Sequence, residues 1–205
     1  MEAFIHGIIL AFGLILPLGV QNLFVFNQGA VQANLWQAMP AVVTAGLCDT
    51  VLILAAVLGV SLVILSFSWL KTALLAGGFV FLAYMGWVAW QSKAEDSQTA
   101  EGTGLPPSKQ IMFAASVSLL NPHAILDTIG VIGTSSLQYA DSSKLLFTAA
   151  CILVSWLWFF SLAFAGRLLG NLDSSGRLLG LLGKFSAIFI WGAALYLGYS
   201  LMAGL

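Results

Sequence analysis

The first apolar run of the chain, AFIHGIILAFGLILPLGVQNLFVF at residues 3–26, contains no Asp, Glu, Lys or Arg. A helix needs about 20 apolar residues to cross the hydrocarbon core of a bilayer. The run therefore predicts a membrane-spanning helix. It lacks a preceding basic segment and an Ala-x-Ala cleavage site, which favours a retained span over a signal peptide.

The composition of the whole chain extends this prediction to a polytopic membrane protein. Of 205 residues, 60% are hydrophobic and 7% are charged, whereas roughly a quarter of the residues of soluble domains are charged. The net charge of −1 excludes the basic face that a nucleic-acid binder needs. We therefore expect a protein that is not an enzyme, binds no cofactor, and has the lipid bilayer as its environment.

Six segments are long and apolar enough to span the membrane. They are Ala3–Phe26, Ala38–Ser61, Thr72–Trp90, Ile111–Ile132, Leu145–Phe164 and Leu181–Leu201. The predicted fold is an all-α integral membrane protein of six transmembrane helices.

A polar segment divides these helices into two groups of three. Residues 92–110 are rich in Gly, Ser and Thr, which predicts a flexible linker between a first repeat, 1–91, and a second repeat, 111–205. Pro17 stands five residues before Asn22, and Pro122 five residues before Asp127. Because each half holds three spans, the halves would enter the membrane in opposite directions, as in the inverted repeats of secondary transporters.

The basic residues predict the orientation of the chain. Five of the seven Lys and Arg side chains fall in the loops after the first, third and fifth spans. Cytoplasmic loops carry an excess of positive charge. We therefore predict that the linker is cytoplasmic, that both termini are extracytoplasmic, and that the protein lies in the cell (plasma or inner) membrane.

Two carboxylates are the strongest candidates for function. Asp49 and Asp127 lie well inside predicted spans, and Asp49 is roughly 16 Å deep at 1.5 Å per residue. A charge at that depth costs about 2.5–3.5 kcal/mol, so intramembrane acids generally mark a substrate or ion path. The two acids can pair with a cationic substrate or can bind and release protons.

Prolines within two spans predict helix breaks beside polar side chains. Pro17, with Gly19 two residues later, should interrupt span one, and Pro122 should interrupt span four. Backbone groups freed at membrane depth need a cavity or protein partners, which favours a binding cavity here. Amides and an imidazole surround the breaks and extend the candidate site. They are Gln21, Asn22, Asn121 and His123. Of these, His123 stands four residues before Asp127.

At these motifs the sequence resembles the lysine exporter (LysE) family, and within it the lysine/arginine exporter branch. The matching stretches are LPLGVQNLFVFNQG at 16–29, SLLNPHAILDT at 118–128, the Cys48-Asp49 pair and SWLWF at 155–159. The resemblance implies export of amino acids, foremost basic ones, driven by the proton-motive force. It also implies that Asp49 and Asp127 are the intramembrane aspartates of that branch, and that Asn22, Asn121 and Pro122 are its motif residues.

The leading hypothesis is thus an exporter of lysine or arginine by proton antiport, and other functions stay open. A neutral amino acid is one alternative substrate. A divalent cation is another, since two carboxylates, a histidine and amide oxygens can ligate a metal, although no metal site is predicted. Cys48 and Cys151 raise a third alternative, a transmembrane thiol-redox carrier. The oligomeric state, including a homo-oligomer, is also open.

Overall fold

The computed structural model describes residues 1–16, 19–59, 68–91, 105–119, 125, 128–172 and scattered positions between 184 and 202. All regular structure in these residues is helical. A π-helical segment, Thr128–Gly133, continues into a single α-helical turn, Thr134–Ser136. The main helices are α1 (Glu2–Ile15), α2 (Val20–Val31), α3 (Leu35–Val57), α4 (Ser68–Gln91), α5 (Pro107–Leu119) and α6 (Asp141–Leu172).

Two of the described helices, α3 and α6, are each long and apolar enough to cross a membrane. The pair α1 and α2 also meets that criterion, but its axes are bent by 81°. The chain is therefore an all-helical membrane protein. The arrangement of six spans as inverted repeats stays a prediction, as does the division at the linker, because residues 92–104 lie outside the described part.

The helix ends differ from the predicted spans for local reasons. The first predicted span is divided, since α1 ends at Ile15 and Gly19 is extended (φ −77°, ψ 177°) before α2. The α3 helix begins at Leu35 because the Asn34 side chain accepts a hydrogen bond from the Gln37 N–H at 3.0 Å, a typical N-cap. The α6 helix extends beyond the predicted Leu145–Phe164 at both ends. Its terminal turns contain polar residues, so a search for apolar segments does not include them.

The long helix α6 is the centre of the packing, and glycines bring the other backbones against it. A Cβ atom on Gly29 of α2 would overlap the Ala163 carbonyl of α6, and one on Gly166 would overlap the Phe26 carbonyl. On the α1 side, Gly7 lies against the Phe147 carbonyl in the same way. Small residues of this kind permit close helix approach within a membrane, and they hold α1 and α2 against α6.

Two apolar clusters flank the position of Asp49. The α1 cluster joins α1, α3 and α6, and the α2 cluster joins α2, α3 and α6. The buried members of the α1 cluster include Ala11, Ile53, Val57, Phe147, Cys151 and Val154. The members of the α2 cluster are Val25, Val42, Ala45, Phe159, Leu162 and Ala163. The site lies between these clusters.

Candidate functional site

Asp49 lies on the buried stripe of α3, at the junction of the two clusters. It is four residues after Ala45 of the α2 cluster and four residues before Ile53 of the α1 cluster. Residues four apart share a face of a helix, so the carboxylate projects toward the same helices as these apolar side chains. Its side chain is half-buried.

Two neutral donors from different helices hold the Asp49 carboxylate. The Gln21 Nε2 of α2 donates to Oδ1 at 3.3 Å, and the Ser155 hydroxyl of α6 donates to Oδ2 at 3.0 Å. An ionised carboxylate can accept about four hydrogen bonds, two on each oxygen. These two contacts therefore leave acceptor capacity on both oxygens, and neither donor neutralises the charge.

Asn22 connects the two halves of the divided first helix. Its Nδ2 donates to the Ile15 carbonyl, the last of α1, at 2.8 Å. Carbonyls at a helix C-terminus lack partners within their own helix, so this contact satisfies one of them across the break. The first turn of α2 thus has Gln21 directed to Asp49 and Asn22 directed to α1.

Several predicted site residues lie outside the described part of the chain. These are Pro17, Asn121, Pro122, His123 and Asp127. Their proposed roles, including substrate binding and proton coupling by Asp127, therefore stay predictions.

Ser155 is a contact that the sequence analysis did not identify. In the sequence it stands out only as the first residue of the SWLWF motif. It lies on the buried stripe of α6, four residues from both Cys151 of the α1 cluster and Phe159 of the α2 cluster, and is only 4% exposed. The sequence signal that could have identified Ser155 is its single hydroxyl, which stands between apolar residues at helical spacing.

A second interhelical contact fixes α3 against α6 next to Asp49. The Trp156 Nε1 donates to the Thr50 hydroxyl at 3.1 Å, and that hydroxyl donates to the Gly46 carbonyl at 2.7 Å. The Trp156 ring also lies directly over Gly46, where a Cβ would meet it at 3.0 Å. Two adjacent residues of α3 therefore contact two adjacent residues of α6. Asp49 contacts Ser155, and Thr50 contacts Trp156.

A buried amide network lies nearer the start of α3 and was also missed. The Gln110 Nε2 of α5 donates to the Gln37 carbonyl at 2.8 Å and the Leu105 carbonyl at 2.7 Å, while Oε1 accepts from the Ala41 N–H at 3.3 Å. Gln32 also donates to Leu105, at 2.9 Å. Ala41 precedes Asp49 by eight residues, or roughly 12 Å of helix, so the network lies well away from the carboxylate.

The two cysteines are free, buried and in contact with different helices. The Cys48 thiol lies beside the Ser118 hydroxyl of α5, and the Cys151 thiol donates to the Gly7 carbonyl of α1 at 3.6 Å. In the described part of the chain, no three His, Cys, Asp or Glu side chains are grouped to hold a metal ion.

Comparison with known proteins identifies relatives over nearly the whole chain. The model of the LysE type translocator family matches residues 12–201. The putative amino-acid transporter YisU of Bacillus subtilis (strain 168) is 60% identical over 201 residues, covering 98% of this chain and 91% of that protein. The arginine exporter protein ArgO of Pectobacterium atrosepticum is 34% identical over 200 residues, covering 95% of both chains. No solved structure matches the chain.

Proposed function

The chain belongs to the family of LysE type translocators, and from this premise we propose that it exports basic amino acids, arginine first, by proton antiport. The family and the all-helical, apolar fold make it a multi-pass membrane transporter for amino acids. The choice of arginine is supported by the relatives named as arginine exporters, at 34% identity. We place the exporter in the cell membrane with the 92–110 linker in the cytoplasm.

The Asp49 carboxylate is the observation that supports a cationic substrate. Both of its contacts within the described residues are neutral donors, and both oxygens retain acceptor capacity. A cation that binds there supplies the missing positive charge. Arginine can do so with two parallel N–H···O bonds, the strongest form of this pairing.

Proton coupling follows from competition for the same carboxylate. A protonated carboxyl group no longer attracts a cation, and a bound cation favours the ionised form. Proton entry from one side therefore releases the substrate, and substrate binding from the other side releases the proton. We propose that Asp127 and His123 take part in this exchange from the second repeat.

The broken helices supply the groups for the other end of the substrate. The N-terminus of α2 carries a partial positive charge, and in transporters such half-helix ends bind the carboxylate of the substrate near the midplane. We propose that Gln21, Asn22 and Asn121 bind the α-amino and α-carboxylate groups at the breaks marked by Pro17, Gly19 and Pro122. In this arrangement the side-chain cation reaches Asp49.

The test is transport in liposomes that contain the purified protein. An imposed proton gradient should drive labelled arginine and lysine across the membrane, and Asp49→Asn, which keeps the shape but removes the charge, should reduce the rate by at least tenfold. Asp127→Asn should have a similar effect. Asp141→Asn is the matched control because Asp141 is exposed at the start of α6, and it should transport at the wild-type rate.

Two results would contradict the proposal. Normal arginine transport by Asp49→Asn would remove this carboxylate from the substrate path. Movement of threonine or Mn²⁺ in place of the basic amino acids would establish one of the alternative substrates instead.

A further inference from the structure

We propose that Ser155 is a positioning residue that fixes the plane of the Asp49 carboxylate, and that this orientation makes the site prefer a guanidinium over an ammonium group. The inference rests on the proposed function and adds a source of selectivity between arginine and lysine. It assigns to α6 a role in substrate choice.

The hydroxyl of Ser155 makes a different bond from comparable hydroxyls in the same helix. Thr148 and Ser161 of α6 donate to the carbonyls four residues before them, at 2.8 and 2.7 Å. This is the usual local bond of such residues in helices. The Ser155 hydroxyl instead donates to Asp49 across the helix interface. A buried serine that bonds a carboxylate of another helix limits how that carboxylate can rotate.

The second donor to the carboxylate belongs to a helix that packs directly on α6. Gln21 lies on α2, and the α2 and α6 backbones touch at three glycines. These are Gly29, Gly166 and Gly170, each positioned where a Cβ would overlap a carbonyl of the facing helix. Gln21 and Ser155 are thus carried by one closely packed helix pair, and each holds a different oxygen of Asp49. Both the position and the plane of the carboxylate are fixed relative to that pair.

This arrangement affects the two basic amino acids differently. A guanidinium is a planar fork that pairs with both oxygens of a carboxylate in one plane. An ammonium is a compact point charge with freely rotating donors, which tolerates many orientations. Fixing the carboxylate plane should therefore favour arginine and have little effect on lysine.

The experiment measures KM for arginine and for lysine in liposomes under the same proton gradient. Ser155→Ala should raise KM for arginine roughly tenfold, because a carboxylate that is free to rotate loses one of the two N–H···O bonds to the guanidinium, and should raise KM for lysine less than threefold. Ser155→Thr retains the hydroxyl and should restore the wild-type ratio. Trp156→Phe is the matched control, because it removes the adjacent α3–α6 hydrogen bond to Thr50 and should leave the ratio unchanged.

The ratio of the two KM values is measured within one variant, so partial loss of folded protein does not alter it. If Ser155→Ala yields no folded protein, Ser155→Cys replaces it, since a thiol is a weak donor and should give an intermediate ratio. An equal rise for both substrates, or no rise for either, would overturn the inference. If the wild-type protein transports neither amino acid, the proposed function itself is wrong, which is a separate result.

Discussion

At the scale of single residues, a few polar groups within the helix packing constrain the fold most. Asp49, Gln110 and Ser155 each bond across a helix interface. In a bilayer an unsatisfied polar group has no water to replace its partner, and leaving one unpaired costs several kcal/mol in principle. Such residues therefore stabilise one particular arrangement of the helices.

Gln110 provides the clearest test of this argument. The side chain is 1% exposed and bonds the Gln37 C=O and the Ala41 N–H of α3. These two groups are four residues apart, and an α-helix joins such groups in its own i→i−4 hydrogen bond. Gln110→Leu keeps the volume similar and removes all three of its hydrogen bonds. Because the Gln37 C=O and the Ala41 N–H can still bond each other within α3, and the Leu105 C=O keeps its bond from Gln32, we expect the free energy of unfolding to fall by about 0.5–1.5 kcal/mol for each hydrogen bond removed.

The measurement is the thermal midpoint of the purified protein in detergent. Gln138→Leu is the control, since Gln138 is exposed between the short helical turn and α6 and should leave the midpoint nearly unchanged. A midpoint for Gln110→Leu equal to that of the control would mean that the network does not stabilise the fold.

At the scale of elements, α6 organises α1, α2 and α3 through small residues. Lipid tails are as apolar as leucine, so helices in a bilayer associate by close packing and not by the hydrophobic effect. The glycines at the α2–α6 contact permit that packing because their missing Cβ atoms make room for a facing carbonyl. The two donors to Asp49 come from this helix pair, Gln21 from α2 and Ser155 from α6.

A pair of glycine substitutions separates packing from helix propensity. In Gly166→Ala the new Cβ would overlap the Phe26 carbonyl of α2, and overpacking of this kind costs about 1–3 kcal/mol. In Gly13→Ala of α1 the new Cβ meets no atom of the described residues within 4 Å, so the higher helix propensity of alanine should be neutral or should stabilise by up to about 1 kcal/mol. The thermal midpoint and the rate of arginine transport should both fall in Gly166→Ala. Both should stay at the wild-type level or above in Gly13→Ala. Equal midpoints and equal transport rates in the two variants would refute the packing argument.

The sequence predicts the helical membrane fold because hydropathy is a local property of each segment. It also predicts that Asp49 lies well inside a helix, since position within a span follows from counting residues. It does not predict Ser155 or Gln110 as contacts, because these depend on the rotation and register of helices that are 69 to 106 residues apart in sequence. The division of the first span into α1 and α2 depends on the local sequence. The angle of 81° between the two helix axes depends on what each helix packs against.

At the scale of the whole molecule, α3 connects regions of different character on either side of Asp49. Toward its start lies the polar network of Gln110, and toward its end lies the apolar α1 cluster. Beyond that cluster, His6 bonds the Tyr139 hydroxyl at 2.8 Å. Under the proposed function, these two regions would open alternately to give access to Asp49. Which region faces the cytoplasm depends on the topology of the six predicted spans.

Single-cysteine labelling tests that topology. With Cys48 and Cys151 replaced by serine, Ser97→Cys places a thiol in the predicted linker and Ser142→Cys places one at the exposed start of α6. The excess of Lys and Arg on the linker side predicts that it is cytoplasmic. The two sites are separated by one predicted span, so a membrane-impermeant thiol reagent added to intact cells should label Ser142→Cys alone. Labelling of Ser97→Cys alone would reverse the orientation. Labelling of both variants would mean that the segment between residues 97 and 142 returns to the side from which it entered. The second half would then begin with a re-entrant segment in place of a span, which would contradict the six-span inverted repeat.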